Sequence, residues 1–341
     1  MLYSRHKLDK AGEALMGTDP FKREEVITII QKWRDSHLFV MQELNQQLIS
    51  LFEDEKIKYA FSSMRIKRMT SIEAKLRNNI ERHMKLGGLQ DIGGIRYVFS
   101  SIKELDRVKQ VLDGFTPIGF EKRGTDDYIE KPKESGYRSI HYIYKYHSEN
   151  KEYDGLSVEL QVRTQLQHSW AMAVETASLI SKTTLKADVD NEQEWRGFFK
   201  LVSALFSRKE EKPIHPFYSK MDLRELCTVF NDYKKKKLID QLKALRVTVN
   251  NDFDEDEKGY CVLTIDFVKH IVHGKIYKYT DNKVASDTFS KIESTINEDE
   301  AALMVAIDKI REIKEAYPSY FLDTKAFLEY LDDFDKKCQL L

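Results

Sequence analysis

Residues 156–164 read LSVELQVRT. In a strand, successive side chains point to opposite faces. Leu156, Val158, Leu160 and Val162 then face a core, while Ser157, Glu159, Gln161 and Arg163 face the other way. A strand tiled with carboxylate, amide and guanidinium is either solvent-exposed on that face or the floor of a polar site. Upstream, GGIRYVFSS (93–101) reads as a strand opened by glycines and preceded by Asp91, with Arg96 pointing opposite to Ile95 and Tyr97. YRSIHYIYKY (137–146) is aromatic and β-branched and reads as another strand. KELDRVKQVLDGF (103–115) has the spacing of an amphipathic helix, and HSWAMAVETASLI (168–180) reads as a helix. Between these come turn signals around Pro117 and Gly119, and then the basic–acidic stretch EKRGTDD.

The chain has 341 residues, enough for two domains, with 41% hydrophobic and 33% charged residues. Net charge is −1, so nucleotide or nucleic-acid binding has to come from local clustering and not from a global basic field. Cys227, Cys261 and Cys338 are odd in number and far apart, which suggests neither a disulfide framework nor a CxxC metal site and fits a reducing compartment. Cys261, His270 and His273 have poor spacing for zinc and lack a fourth ligand. No apolar run has spanning length and the N-terminus has no signal-peptide core, so the expected location is cytoplasmic, with no membrane partner.

Outward from the strands, residues 20–60 carry apolar side chains at spacings of three and four, from Val26 to Leu51, after Pro20 at a helix start. Thr70 and Glu73 have capping-box spacing, which predicts a helix beginning near Thr70. The charged, proline-containing SRKEEKPIHP (207–216) marks a boundary. Beyond it, YCVLTIDF and IVHGKIYKYT read as strands, and DEAALMVAIDKIREIKEA (299–316) and DTKAFLEYLDDF (323–334) as helices. The organisation expected is an N-terminal helical region (1–60), a central domain (61–206), a linker (207–220) and a smaller C-terminal domain (221–341).

Three stretches carry candidate chemistry. Asp91 with Glu159 would give two carboxylates at a sheet surface, a pair able to hold Mg²⁺ together with phosphate oxygens. Arg65, Lys67, Arg68, Lys75 and Arg77 lie within thirteen residues at a helix start, where backbone N–H groups also favour anions. They are either solvated charges or a phosphate site. In KPKESGYRSIH (131–141), Gly136 permits a sharp turn and a close approach, and Tyr137, Ser139 and His141 share one strand face. Tyr137 either stacks on a base or belongs to a cross-strand aromatic pair.

Taken together, residues 60–180 resemble the RelA/SpoT-type synthetase domain. The family pattern R-x-K-x-x-x-S-I-x-x-K is met by Arg65, Lys67, Ser71, Ile72 and Lys75. DIGGIR supplies an Asp five residues before a strand Arg, and DYIEKPKESGYRSIH and ELQVRT match two further motifs. The resemblance implies an α+β, nucleotidyltransferase-like fold with a mixed β-sheet flanked by helices, and a pyrophosphokinase that moves a pyrophosphoryl group from ATP to a ribose 3′-hydroxyl. It implies Arg65, Lys67 and Lys75 as ATP-binding cations. It implies Asp91 and Glu159 as the catalytic, Mg²⁺-holding pair, and Tyr137, His141 and Arg163 on the acceptor side.

Three departures narrow this. Ser135 stands where the family carries a guanine-recognising Asn, the N-terminal 60 residues are too few for a hydrolase domain, and a C-terminal segment follows. The layout is most similar to the fused toxin–antitoxin (CapRel-type) branch. That resemblance implies pyrophosphate transfer to the 3′ CCA end of tRNA, with arrest of translation. It also implies a zinc-finger-like C-terminal domain without zinc that blocks the ATP site through YxxY, here Tyr317 and Tyr320 in YPSY, and release by a phage capsid protein. The bland reading of YPSY is a pair of tyrosines packed at a helix–helix corner. The runner-up activity is a small alarmone synthetase using GDP or GTP.

Overall fold

In the computed structural model, the described residues are 2–17, 19–80, 83–184, 189–236, 238–243, 248–249, 259–266, 269, 271–296, 300–307 and 324–340. Two N-terminal helices, α1 (Arg5–Met16) and α2 (Pro20–Asp54), precede β1 (Phe61–Ile66) and α3 (Met69–Asn78). Then come β2 (Gly93–Phe99), α4 (Ile102–Gly114), β3 (Phe120–Asp127), β4 (Ile140–Tyr146) and β5 (Ser157–Thr164). Helices α5 (Gln165–Thr184), α6 (Val189–Lys209), α7 (Leu223–Lys235) and α8 (Leu238–Lys243) follow. The chain then runs through β6 (Thr248–Val249), β7 (Gly259–Asp266), β8 (Ile271–Tyr277), α9 (Asn282–Thr295), β9 (Glu300–Ile307) and α10 (Lys325–Cys338).

The strands form one mixed sheet in the order β3-β4-β5-β2-β1-β9-β7-β8-β6. β2 and β5 are parallel, joined by a connection long enough to cross over, and β1 and β4 flank them antiparallel. The architecture is the expected α+β one. Segment 221–341, expected as a unit of its own, extends this same sheet: β9 pairs with β1, Met64 against Ala306 and Arg65 against Val305. The expected linker packs too, with Glu210, His215 and Tyr218 all buried.

One sheet face packs on α2, α4 and α9 through a core that includes Leu44, Ile95, Val108 and Leu160. A second core gathers α5, α6, α7, α8 and α10 around Trp170, Phe198, Leu226 and Phe327. The apolar alternation of 156–164 is kept: Val158, Leu160 and Val162 are fully buried in the first core.

EKRGTDD, unassigned from sequence, lies in the edge strand β3. Three expectations are corrected. The helix expected from residue 299 begins as β9, because a run of Ala, Leu, Met and Val buried between two neighbouring strands outweighs helix propensity. No Thr70–Glu73 capping box forms. Helix α3 starts at Met69, and Glu73 instead takes Arg23 at 2.6 Å and Arg77 at 2.8 Å. Finally, Cys227 and Cys338 form a disulfide, because α7 and α10 lie side by side with Phe230 edge-on to Phe334. Cys261 is free and buried in β7.

Candidate active site

Strand register builds the polar face row by row. Arg65 lies opposite Gly94, and Gly94 opposite Glu159. The next row sets Ser63, Arg96, Gln161 and His141 side by side across β1, β2, β5 and β4. Side chains two apart share a face, so residues distant in sequence converge on one surface.

Asp91 sits in the turn before β2, where Lys67 N donates to the Ile92 carbonyl at 2.8 Å and brings the end of β1 alongside. Lys67 Nζ and Lys75 Nζ both donate to Asp91 Oδ2, at 3.0 and 2.7 Å. Burial pushes the Asp91 carboxyl toward its neutral form, but the two ammonium groups outweigh it and hold it below the usual carboxylate range. Lys67 is shifted the other way: burial lowers it more than Asp91 raises it. Asp91 Oδ1 is buried and has no hydrogen-bond partner.

Glu159 accepts from His141 Nδ1 at 2.9 Å and from Gln161 Nε2 at 2.5 Å. Burial raises its carboxyl; the bond and charge of His141 more than reverse that, and nearby Asp91 pushes it up again. The two carboxylates therefore sense each other's charge. An orphaned, buried carboxylate oxygen beside a second carboxylate fits a divalent cation. Among the described residues no cluster of three or more His, Cys, Asp and Glu is arranged for a metal. Asp91 and Glu159 are the residues that could hold a divalent cation, and Mg²⁺ takes one or two carboxylates with water and phosphate oxygens.

His141 bridges two candidates. Its Nε2 stands 2.9 Å from the Tyr137 hydroxyl, and its Nδ1 faces Glu159. Burial lowers it, but Tyr137 and Glu159 at its two nitrogens overcome this and raise it to about 9, so it is the imidazolium at neutral pH. The Tyr137 ring meets Tyr128 and Trp170 edge-on or tilted, at 6.1 and 6.5 Å, and Lys133 lies over both tyrosine rings.

Arg65, Arg96 and Arg163 line a cavity of about 790 Å³ together with Tyr137, Trp170 and Phe199. The cavity is the gap between the polar sheet face and the α5–α6 helices. Arg163 is fully buried and donates to His168 Nδ1 at 2.6 Å; burial, then the neighbouring Arg96, disfavours its charge. Arg65, Arg96 and Arg163 thus put three guanidiniums on one wall, a donor type suited to carboxylates and phosphates.

The structure thus brings Asp91, Lys67 and Lys75 into one cluster, and Glu159, His141 and Tyr137 into another on the same face. Arg65 and Arg163 line the cavity. Tyr317 and Tyr320 lie outside the described residues. Gln161 and Arg96 were not among the expected site residues, although strand parity with Glu159 and the DIGGIR pattern both pointed to them.

This fold and face define an α+β core for phosphoryl-type chemistry. Residues 64–184 match the family model described as "Region found in RelA / SpoT proteins". GTP pyrophosphokinase YjbM of Bacillus subtilis (strain 168) is 28% identical over 176 residues, which is 47% of this chain and 82% of that protein. GTP pyrophosphokinase YwaC of the same organism is 27% identical over 163 residues, 43% of this chain and 75% of that one. Small alarmone synthetase 1 from Bacillus subtilis, solved with its product pppGpp, shares 22% identity over 51% of this chain and 92% of its own, with a TM-score of 0.39. No helix among the described residues is long and apolar enough to cross a membrane.

Proposed function

We propose that this chain transfers a pyrophosphoryl group from ATP to the 3′ CCA end of tRNA, and that it acts as a translation-inhibiting toxin in phage defence. The observation that carries the transfer is the unpartnered, buried Asp91 oxygen, close enough to Glu159 for the two charges to interact, on the sheet face whose Arg65, Arg96 and Arg163 line the cavity. Lys67, Lys75 and Arg65 would bind the ATP phosphates. A Mg²⁺ ion held by Asp91 and Glu159 would supply positive charge for the phosphate oxygens. The ribose 3′-oxygen bonds to the β-phosphorus, the bond from that phosphorus to the α-phosphate oxygen breaks, and AMP leaves. Glu159 orients the hydroxyl and takes its proton. Tyr137 offers its ring to the acceptor base, and His141 holds both Tyr137 and Glu159 in place. Such transfers depend on positioning and electrostatics more than on covalent catalysis.

Ser135 favours the tRNA acceptor. It lines the cavity, but its short hydroxyl accepts from Tyr137 N at 3.4 Å and offers no carboxamide to guanine. The kinship with two GTP pyrophosphokinases favours the second reading, an alarmone synthetase acting on GDP or GTP. The full chain incubated with labelled ATP and either tRNA or GDP/GTP decides between them. Label on tRNA supports the first reading, and label only on guanine nucleotides overturns it. Glu159→Gln should abolish transfer to either acceptor. The inhibitory role of Tyr317 and Tyr320, and release by a phage capsid protein, rest on the branch resemblance. Tyr320→Ala should raise toxicity in growing cells, and unchanged growth removes that part of the proposal.

A further inference from the structure

Helix α6 lies outside the segment matched to the family, yet it and the residue after it meet the loop that carries Tyr137 at Glu134, Gly136 and Arg138. Lys200 Nζ donates to Glu134. Ser203 Oγ donates to the Gly136 carbonyl at 2.5 Å. Glu210, one residue past the helix, pairs with the Arg138 guanidinium at 2.9 Å. Glu210 also accepts from Thr164 Oγ1 at 2.5 Å and Gln167 Nε2 at 2.9 Å, so its side chain is held from three sides. Residues 200, 203 and 210 recur at the three-to-four spacing of one helix face.

Gly136 and Arg138, the residues that Ser203 and Glu210 meet, are the immediate neighbours of Tyr137. Gly136 has φ +89°, and a Cβ there would lie 2.9 Å from the Ser203 Cβ and 3.3 Å from the Lys200 Cα. The contact is therefore close backbone packing of loop against helix, and only glycine permits it. Ser203 and Glu210 are both buried. Arg196, Phe199 and Lys200 of the same helix line the cavity on which Tyr137 opens.

We propose that α6 is the clamp that sets the acceptor site, with Ser203 and Glu210 as positioning residues for the Tyr137 ring. This rests on the reading of Tyr137 as the acceptor-side ring. Of the donor-side groups, Lys67, Lys75 and Asp91 are bonded to one another, and Arg65 lines the same cavity as Arg196, Phe199 and Lys200. Ser203 and Glu210 bond directly to the neighbours of Tyr137, so loosening them should raise the KM for the acceptor more than that for ATP.

The test uses the full chain, with Ser203→Ala as the mild variant and Glu210→Gln as the stronger one. Acceptor KM is expected to rise about fivefold for Ser203→Ala and about tenfold or more for Glu210→Gln, with a smaller rise in the ATP KM. Equal rises in both, or no rise in either, overturn the clamp. Amide hydrogen exchange supplies a readout independent of turnover. Exchange in residues 133–138 should accelerate in Ser203→Ala while β2 stays protected, and unchanged exchange there also overturns it. If the wild-type chain labels neither acceptor, the proposed function fails, and the exchange experiment alone judges the clamp.

Discussion

The Arg34 guanidinium donates to the Glu293 carboxylate at 2.8 Å, joining α2 to α9 across 259 positions of sequence, and both side chains are buried. The other Glu293 oxygen accepts from Met69 N at 2.6 Å, at the first residue of α3. A residue of the C-terminal segment thus ties down the helix that carries Lys75. Breaking one partner of a buried pair leaves the other charge uncompensated, which costs about 3–5 kcal/mol. Glu293→Gln should lower the unfolding free energy by that order and raise the KM for ATP. Arg34→Met combined with Glu293→Leu should cost less than the sum of the single changes. Denaturant unfolding of the four proteins measures this, and additive losses would count against coupling.

Gly136→Ala places a side chain where φ is +89° and where Ser203 lies 2.9 Å from the new Cβ. Strain of this kind costs about 1–3 kcal/mol. The melting temperature should fall, and acceptor-dependent transfer should fall further than ATP binding does. A variant as stable and active as wild type would show that the loop tolerates another path.

How much of this was readable in the sequence depends on the range of the interaction. Val158, Leu160 and Val162 against Glu159, Gln161 and Arg163 is a period-two pattern, so β5 and its polar face were legible from nine residues. Asp91, Lys67 and Lys75 were legible by motif, but not that both lysines share one carboxylate oxygen. β9 was not legible: Glu300–Ile307 has the composition of a helix, and only burial between β1 and β7 makes it a strand. Cys227 and Cys338 stand 111 residues apart, and their pairing follows from how α7 and α10 pack. Ser203 and Glu210 carry no motif, so the clamp is visible only once α6 is seen against the 134–138 loop.

His37 on α2 donates from Nδ1 to the Trp33 carbonyl at 2.8 Å and is fully buried beneath the start of β2. Burial, reinforced by the charge of Arg34, lowers it from 6.5 to about 4 despite that bond. The folded protein therefore holds it neutral while the unfolded chain binds a proton. Stability from this group is present above pH 6.5 and is lost as pH falls toward 4. At pH 5 the loss is about 2 kcal/mol. His37→Gln keeps a donor to Trp33 but cannot titrate. The difference in unfolding free energy between pH 7.5 and 5 should therefore shrink in the variant by about that amount. An identical pH profile in both proteins would remove His37 as the source.

Asp91 takes Lys67 and Lys75 on one oxygen, leaving the other free for a cation, so Asp91→Asn strikes three interactions at once. The two ammonium groups lose their shared counter-charge and repel each other. Lys67, already lowered by burial, then loses the partner that opposed that shift. Transfer from labelled ATP should fall about a hundredfold or more, and the Mg²⁺ concentration for half-maximal rate should rise. Lys67→Met is the contrasting variant. It leaves Lys75 on Asp91 at 2.7 Å and the carboxylate ionised, so the Mg²⁺ requirement should stay near wild type while ATP binding weakens. If Asp91→Asn changed ATP affinity alone and left the Mg²⁺ dependence unmoved, Asp91 would be only a lysine partner, and the cation would have to sit on Glu159 without it.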